Sequence, residues 1–182
     1  GSVTPSYLMH TLGEQLEDDA CVCVDVGQNQ IWAAKHLPMK HGRFLTTGGL
    51  GTMGYSLPAA LGVKTAVPHR QTAVVCGDGS FQMFENELAT LKAMNADVKI
   101  VMVHNGVLGL VHQIQYSSYS GPFGVDLTGS PDFEKLAAAY GIPSKRISDD
   151  GEVDSAIRDM LTASGPYLLI CDVDPMVTTS MT

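Results

Sequence analysis

The run Thr72 to Cys76, closed by Gly77-Asp78-Gly79, limits what this chain can fold into more than any other stretch. Its apolar and β-branched residues suit a strand covered on both faces, and it stops at an acid held between two glycines. From Phe81 to Asn95, apolar residues recur at Phe81, Phe84, Leu88, Leu91 and Met94, which predicts a helix burying one face. Val98 to Val103 reads as a second strand, and Asn105 follows its end. Strand, helix and strand make a βαβ unit whose right-handed crossover brings both C-terminal strand ends to one edge of a parallel sheet. Asp78 and Asn105 are therefore expected on the same edge, where open α/β sheets bind ligands.

Gly77 and Gly79 let the backbone approach a ligand closely, and the N–H groups that open the next helix suit a phosphate. No Gly-Lys-Ser/Thr follows, however, and no Lys or Arg lies between Gly77 and Leu91. A diphosphate would need a cation there. One carboxylate, one amide oxygen, a backbone carbonyl just past Asn105 and two diphosphate oxygens form an all-oxygen set suited to Mg²⁺. The alternative is a simple turn at Gly-Asp-Gly and a strand-end cap at Asn105.

The rest of the chain agrees with one α/β domain over residues 3–182, with Gly1-Ser2 read as a cloning remnant and the domain as cut from a longer protein. At 182 residues and 45% hydrophobic the chain can bury a core without disulfides. The net charge of −8 argues against a nucleic-acid surface, and the longest apolar runs are too short to span a membrane. A cytoplasmic location is expected. Cys21, Cys23, Cys76 and Cys171 fall inside predicted strands without Cys-x-x-Cys spacing, so they read as buried reduced thiols.

Thr4-Pro5 starts a helix through about Leu16 with Tyr7, Leu8, Leu12 and Leu16 inward. Cys21 to Val26 is an apolar strand ending at Gly27-Gln28-Asn29, a second turn toward the ligand edge. Lys35 to Arg43 reads as a solvated basic connector. Tyr55 to Val67 is a helix rich in small residues, Tyr116 to Pro131 a loop, Pro131-Asp132 a helix start, Ile142 to Ile147 a strand, Glu152 to Leu161 a helix and Tyr167 to Val173 the last strand. His104 and His112 read as packed or surface histidines, and Asp172 and Asp174 as solvated acids at a strand end. Gly49-x-Gly51-x-x-Gly54 matches the dinucleotide fingerprint literally. It follows a short, half-polar stretch, Arg43 to Thr47, where that fingerprint requires a buried first strand.

Gly77-Asp78-Gly79-Ser80 with Asn105 resembles the metal-diphosphate motif of thiamine diphosphate enzymes. The flanking blocks, among them Val26-Gly27-Gln28, Trp32-Ala33-Ala34, Gly48 to Gly54, Glu87-Leu88-Ala89-Thr90 and Leu108-Gly109, are similar to the C-terminal cofactor domain of acetohydroxyacid (acetolactate) synthase large subunits. The resemblance runs from about Val3 to Val173 and implies a doubly wound, mainly parallel six-stranded sheet with helices on both faces.

By that resemblance, Asp78, Asn105 and the Val107 carbonyl hold Mg²⁺. Gln28, Asn29, Gly77, Gly79 and Ser80 line the diphosphate, as do Leu108, Gly109 and Leu110. The Gly51 carbonyl and Met53 take the catalytic roles: Gly51 accepts from the cofactor's 4′-amino group, and Met53 supports the bend between its two rings. That bend brings an internal base against the reacting carbon. These synthases usually show His where this chain has Asn29, Asn where it has His104, and Trp where it has Ile114. The Trp shapes the preference for a larger second 2-oxo acid, so pyruvate and 2-oxobutyrate both stay open here.

The resemblance further implies that the parent enzyme decarboxylates pyruvate and joins the two-carbon unit to a second 2-oxo acid, in branched-chain amino acid biosynthesis. It implies a homodimer or homotetramer, an N-terminal pyrimidine-binding domain that supplies an activating glutamate, FAD in a middle domain, and a regulatory small subunit. The 182-residue chain alone is expected to be inactive. Three other readings stay open: a subunit of a two-chain thiamine-dependent 2-oxo acid decarboxylase, a non-catalytic nucleotide-binding module, and a dimerisation domain without cofactor affinity.

Overall fold

A computed structural model describes residues 1–180. In chain order the elements are α1 (Pro5–Gln15), β1 (Cys21–Val24), α2 (Gln28–His36), β2 (Arg43–Thr46), α3 (Ser56–Ala66), β3 (Thr72–Gly77), α4 (Asp78–Phe84), α5 (Leu88–Ala93), β4 (Val98–His104), α6 (Gly109–Ser118), α7 (Phe133–Ala139), β5 (Ser144–Ile147), α8 (Asp150–Thr162) and β6 (Tyr167–Asp172). The strands form one six-stranded sheet in the order β2-β1-β3-β4-β6-β5, and every pairing is parallel. The expected fold class is therefore found, with a fully parallel sheet.

Strand alternation sends successive side chains to opposite faces. Val22, Val24, Val75, Val101 and Leu169 pack with residues of α1, α2 and α8, while Cys23, Val74, Ile100, Met102 and Ile170 pack with residues of α3, α4, α5 and α7. The central strands β3 and β4 are buried along their length except at the last residue. Buried Lys99 is tolerated there because its Nζ donates to the carbonyls of Ala163 and Gly165, each at 2.6 Å, and pairs with Asp97 at 2.6 Å. The four cysteines are buried and free, as expected.

The predicted helix over Phe81 to Asn95 is two helices joined by a 3-10 turn at Glu85–Glu87. Phe81, Phe84, Leu88 and Leu91 are buried, but Met94 is 44% exposed. The helix ends at Ala93, and Asn95 takes a left-handed φ of 47°. The N–H of Ala96 then bonds back to the Leu91 carbonyl at 3.2 Å, so buried Ala96 is the residue that closes this end. Tyr7 is likewise 42% exposed, because α1 turns Met9 inward beside Leu8 and Leu12.

The basic connector is shorter than expected: Lys35 and His36 belong to α2, and Arg43 opens the edge strand β2. The segment predicted as a loop from Tyr116 begins later, since α6 runs to Ser118. Part of that loop folds back beside the end of β4, where Leu108 N–H donates to the Val125 carbonyl and Leu127 N–H to the Gly106 carbonyl, both at 2.8 Å.

From β1 the chain passes to β2 on one side, and from β3 it passes to β4 on the other. The crevice between the tips of β1 and β3 is thus the topological switch point of the sheet, the place where doubly wound folds bind ligands.

Candidate functional site

A cavity of about 230 Å³ opens at this crevice. Its lining includes Gln28 and Asn29 from the start of α2, Gly51 and Met53 from the turn before α3, Gly77 to Ser80 from the start of α4, and Asn105 and Val107 to Leu110 from the link between β4 and α6. Every residue singled out from the sequence as cofactor-binding, metal-ligating or catalytic therefore faces one space. Three β-strand ends and four connecting turns meet here because all the strands run the same way.

Asp78 is the centre of the polar wall and is 2% exposed. One carboxylate oxygen, Oδ1, accepts from the N–H of Gly79 at 2.8 Å; Oδ2 accepts from the N–H of Gly106 at 2.7 Å and of Asn105 at 3.2 Å. Burial pushes its carboxyl above the ordinary range, against the pull of the Gly106 N–H, nearby His104 and the N–H groups of Gly79 and Asn105. Burial disfavours the charged form of Asp78, and a cation bound beside it would offset that cost.

Asn105 turns its Oδ1 to the Val107 N–H at 3.2 Å and its Nδ2 to Gln28 Oε1 at 3.3 Å. The Asn105 main chain bonds to Asp78 Oδ2, and both residues line the cavity. Among the described residues, no group of three or more His, Cys, Asp or Glu gathers as a metal site. A cation here would be held by one carboxylate and neutral oxygens together with those of its ligand, a donor set that suits Mg²⁺.

The turns around this pair are tight. Ser80 Oγ accepts from the Gly77 N–H and donates to the Gly77 carbonyl, both at 3.1 Å, closing the first turn of α4. A Cβ on Gly79 would lie 2.6 Å from Leu108 Cδ2, so with glycine there the Leu108 side chain packs closely over the turn, beside the Met53 methyl. A Cβ on Gly109 would collide with Gln28 Oε1 and lie 2.8 Å from Asn105 Nδ2.

Gln28 and Asn29 are both buried but differ in what they hold. Gln28 Nε2 donates to Gln113 Oε1 at 2.9 Å and to the Val177 carbonyl at 3.1 Å. Gln113 in turn is tied to Thr179, whose N–H donates to Gln113 Oε1 at 3.1 Å. Asn29 Nδ2 donates to the carbonyl of Asp25 at 2.7 Å and of Val75 at 3.4 Å, lacing the tips of β1 and β3 together across the crevice.

Three features escaped the sequence reading. Asp25, read as part of an apolar strand, is fully buried and receives hydrogen bonds from the turn that carries Met53; a lone acid inside an apolar run was the available signal. Asp172, read as solvated, accepts from Arg146 Nε at 2.8 Å and pairs with His104 Nδ1 at 2.8 Å, and His104 Nε2 lies 3.9 Å from Asp78 Oδ2. Nothing in strand periodicity brings β5, β6 and β4 side chains together at one edge; the strand order does. Trp32, quoted only as part of a matching block, lines the cavity. His112 packs edge-on against Tyr116 with ring centres 4.8 Å apart, and Ile114 on the same helix is 49% exposed. The Gly49-to-Gly54 fingerprint follows the partly exposed edge strand β2 and not a buried first strand.

Residues 25–171 match the family described as thiamine pyrophosphate enzyme, C-terminal TPP binding domain. The chain is 40% identical to the acetolactate synthase isozyme 2 large subunit of Escherichia coli (strain K12), over 93% of this chain and 31% of that protein. It is 38% identical to the acetolactate synthase large subunit of Porphyra purpurea, over 94% of this chain and 29% of that one. It is 39% identical to the probable acetolactate synthase large subunit of Methanococcus aeolicus, over 98% and 31%. The chain thus spans about a third of the length of these relatives. A buried acid flanked by glycines at the switch crevice, a facing amide and a match over most of the sequence lead to one assignment: this chain belongs to the C-terminal TPP-binding domains of the thiamine pyrophosphate enzymes.

Proposed function

We propose that the chain binds thiamine diphosphate through Mg²⁺, as the cofactor domain of an acetolactate synthase large subunit. The observation that carries this reading is the Asp78–Asn105 pair at the crevice: a buried carboxylate accepts from the Asn105 main chain, both residues line the cavity, and among the described residues no basic side chain lines it. In this reading Asp78, Asn105 and the Val107 carbonyl hold the metal. Gly77, Gly79 and Ser80 with Leu108, Gly109 and Leu110 form the walls around the diphosphate, and Gln28 closes its far side. Asn29 keeps the strand tips at the right separation. Gly51 and Met53 face the organic part of the cofactor, the carbonyl of Gly51 as acceptor and Met53 as an apolar, adaptable support.

The bound cofactor supplies the electron sink for carbon–carbon cleavage and formation, while the protein supplies orientation and a water-poor surface. The cavity is smaller than the roughly 300–1,000 Å³ of complete ligand pockets, which fits a site whose other half comes from elsewhere. We therefore assign to the parent enzyme the decarboxylation of pyruvate and transfer to a second 2-oxo acid, within an oligomer that supplies the missing half and the acid the reaction needs. This chain alone is expected to bind cofactor and to form no acetolactate.

Isothermal titration of the 182-residue chain tests the reading. Thiamine diphosphate is expected to bind in the presence of Mg²⁺ and to lose at least 10-fold in affinity when EDTA replaces it, with Asp78→Ala abolishing the metal effect. Metal-independent binding of NAD, or no binding of thiamine diphosphate, would overturn it.

A further inference from the structure

Asp25 stands one residue past β1, fully buried, at the crevice. Its Oδ1 accepts from the N–H groups of Val26 and Gly54, both at 3.0 Å. Its Oδ2 accepts from the Ser56 N–H at 2.8 Å and the Ser56 hydroxyl at 2.7 Å. Its own N–H donates to the Val75 carbonyl at 2.8 Å, and its carbonyl accepts from Asn29 Nδ2 at 2.7 Å. One residue therefore joins the tips of β1 and β3 to the segment that leads into α3.

That segment needs an anchor. Gly48, Gly49, Gly51 and Gly54 leave its backbone few steric restraints, and residues 48–52 are exposed. Within it, Thr47 Oγ1 bonds to the Thr52 carbonyl at 3.2 Å. Gly54 has a φ of 88°, and a Cβ there would lie 3.2 Å from Met83 Cβ, so Gly54 is wedged between Asp25 and α4. A buried carboxylate must have its oxygens satisfied, and hydrogen bonds to a charged acceptor are the strong class. Three of the four donors around Asp25, the Gly54 N–H and the Ser56 N–H and hydroxyl, thus fix the C-terminal end of the turn and, through it, Met53 and Gly51.

We propose that Asp25 is a positioning residue for the organic end of the cofactor: it sets the height of the Gly51–Met53 turn over the crevice while leaving the diphosphate end untouched. The inference rests on the cofactor reading above. It separates the site into two independently anchored halves, Asp78 with Asn105 for the metal and diphosphate, Asp25 with Ser56 for the turn.

The 182-residue chain and its Asp25→Asn and Ser56→Ala variants would be titrated, in Mg²⁺, with inorganic diphosphate and with thiamine diphosphate. In parallel, amide exchange would be followed by NMR at Gly54, Ser56, Gly79 and Gly106. For Asp25→Asn the expected result is diphosphate affinity within twofold of the original chain, and thiamine diphosphate affinity reduced at least 10-fold. Exchange should speed up at least 10-fold at Gly54 and Ser56 but not at Gly79 and Gly106. Ser56→Ala, which removes one of the four bonds, should show the same pattern at about threefold, and it carries the test if Asp25→Asn does not fold. Equal losses for both ligands, or no loss for either, would overturn the role of Asp25. If the original chain binds neither ligand, the cofactor reading itself falls and this inference with it.

Discussion

At the scale of single residues, burial decides the chemistry. Cys23 has its thiol pushed up to about 12 by burial, with Cys21 adding to the effect, and burial likewise raises Cys76 and Cys171. In the unfolded chain these thiols ionise near 9.0, the ordinary value. Between pH 9 and the raised folded values the unfolded state therefore binds fewer protons, and stability falls as pH rises, by about 1.4 kcal/mol per pH unit for each thiol. Urea unfolding from pH 8 to 11 should show this slope, and Cys23→Val should reduce it by one thiol's share; a flat profile would contradict the burial. At pH 8 none of the four cysteines should react with a thiol reagent until the chain unfolds. Asp78 and Asn105 were legible because their spacing around a strand–helix–strand pattern fixes which edge they reach. Asp25 was not, since its partners Gly54 and Ser56 lie far along the chain and only the crossing of α3 over β1 brings them back.

At the scale of elements, glycines mark where two turns pass through each other's space. Gly109 opens α6 directly against the Gln28 and Asn105 side chains. Gly109→Ala should leave the melting temperature within a few degrees, because alanine favours the helix start by roughly 0.5–1 kcal/mol over glycine. It should nevertheless weaken Mg²⁺-dependent thiamine diphosphate binding at least 10-fold by displacing both amides. Calorimetry with a parallel melting curve checks this, and unchanged affinity would show that Gln28 and Asn105 do not act on the ligand. Helix and strand positions were legible from periodicity, including the parallel βαβ unit at the centre. Their ends were not: the 3-10 turn at Glu85–Glu87 and the left-handed Asn95 change the phase of a pattern that reads as continuous. The site residues all come from such ends, so the sequence located them by kind and the fold by position.

At the scale of the whole molecule, the strand order places the turns that line the cavity on one side of the sheet. Leu50, next to the lining residue Gly51, is 99% exposed, and Tyr119 and Phe123 in the segment after α6 are exposed too. No helix among the described residues is long and apolar enough to cross a membrane. On the proposed reading, the chain as given should give no acetolactate from pyruvate when loaded with cofactor, and turnover by the purified chain would refute the proposal that part of the site comes from elsewhere. The proposed function turns on Asp78 and Asn105 sharing one Mg²⁺ that anchors a diphosphate. A crystal structure of the chain with Mg²⁺ and thiamine diphosphate measures it directly. The expected result is an Asp78 carboxylate oxygen, Asn105 Oδ1 and the Val107 carbonyl each about 2.0–2.1 Å from one ion that also binds diphosphate oxygens; a diphosphate seated in the cavity with no metal between it and Asp78 would overturn the shared-metal site.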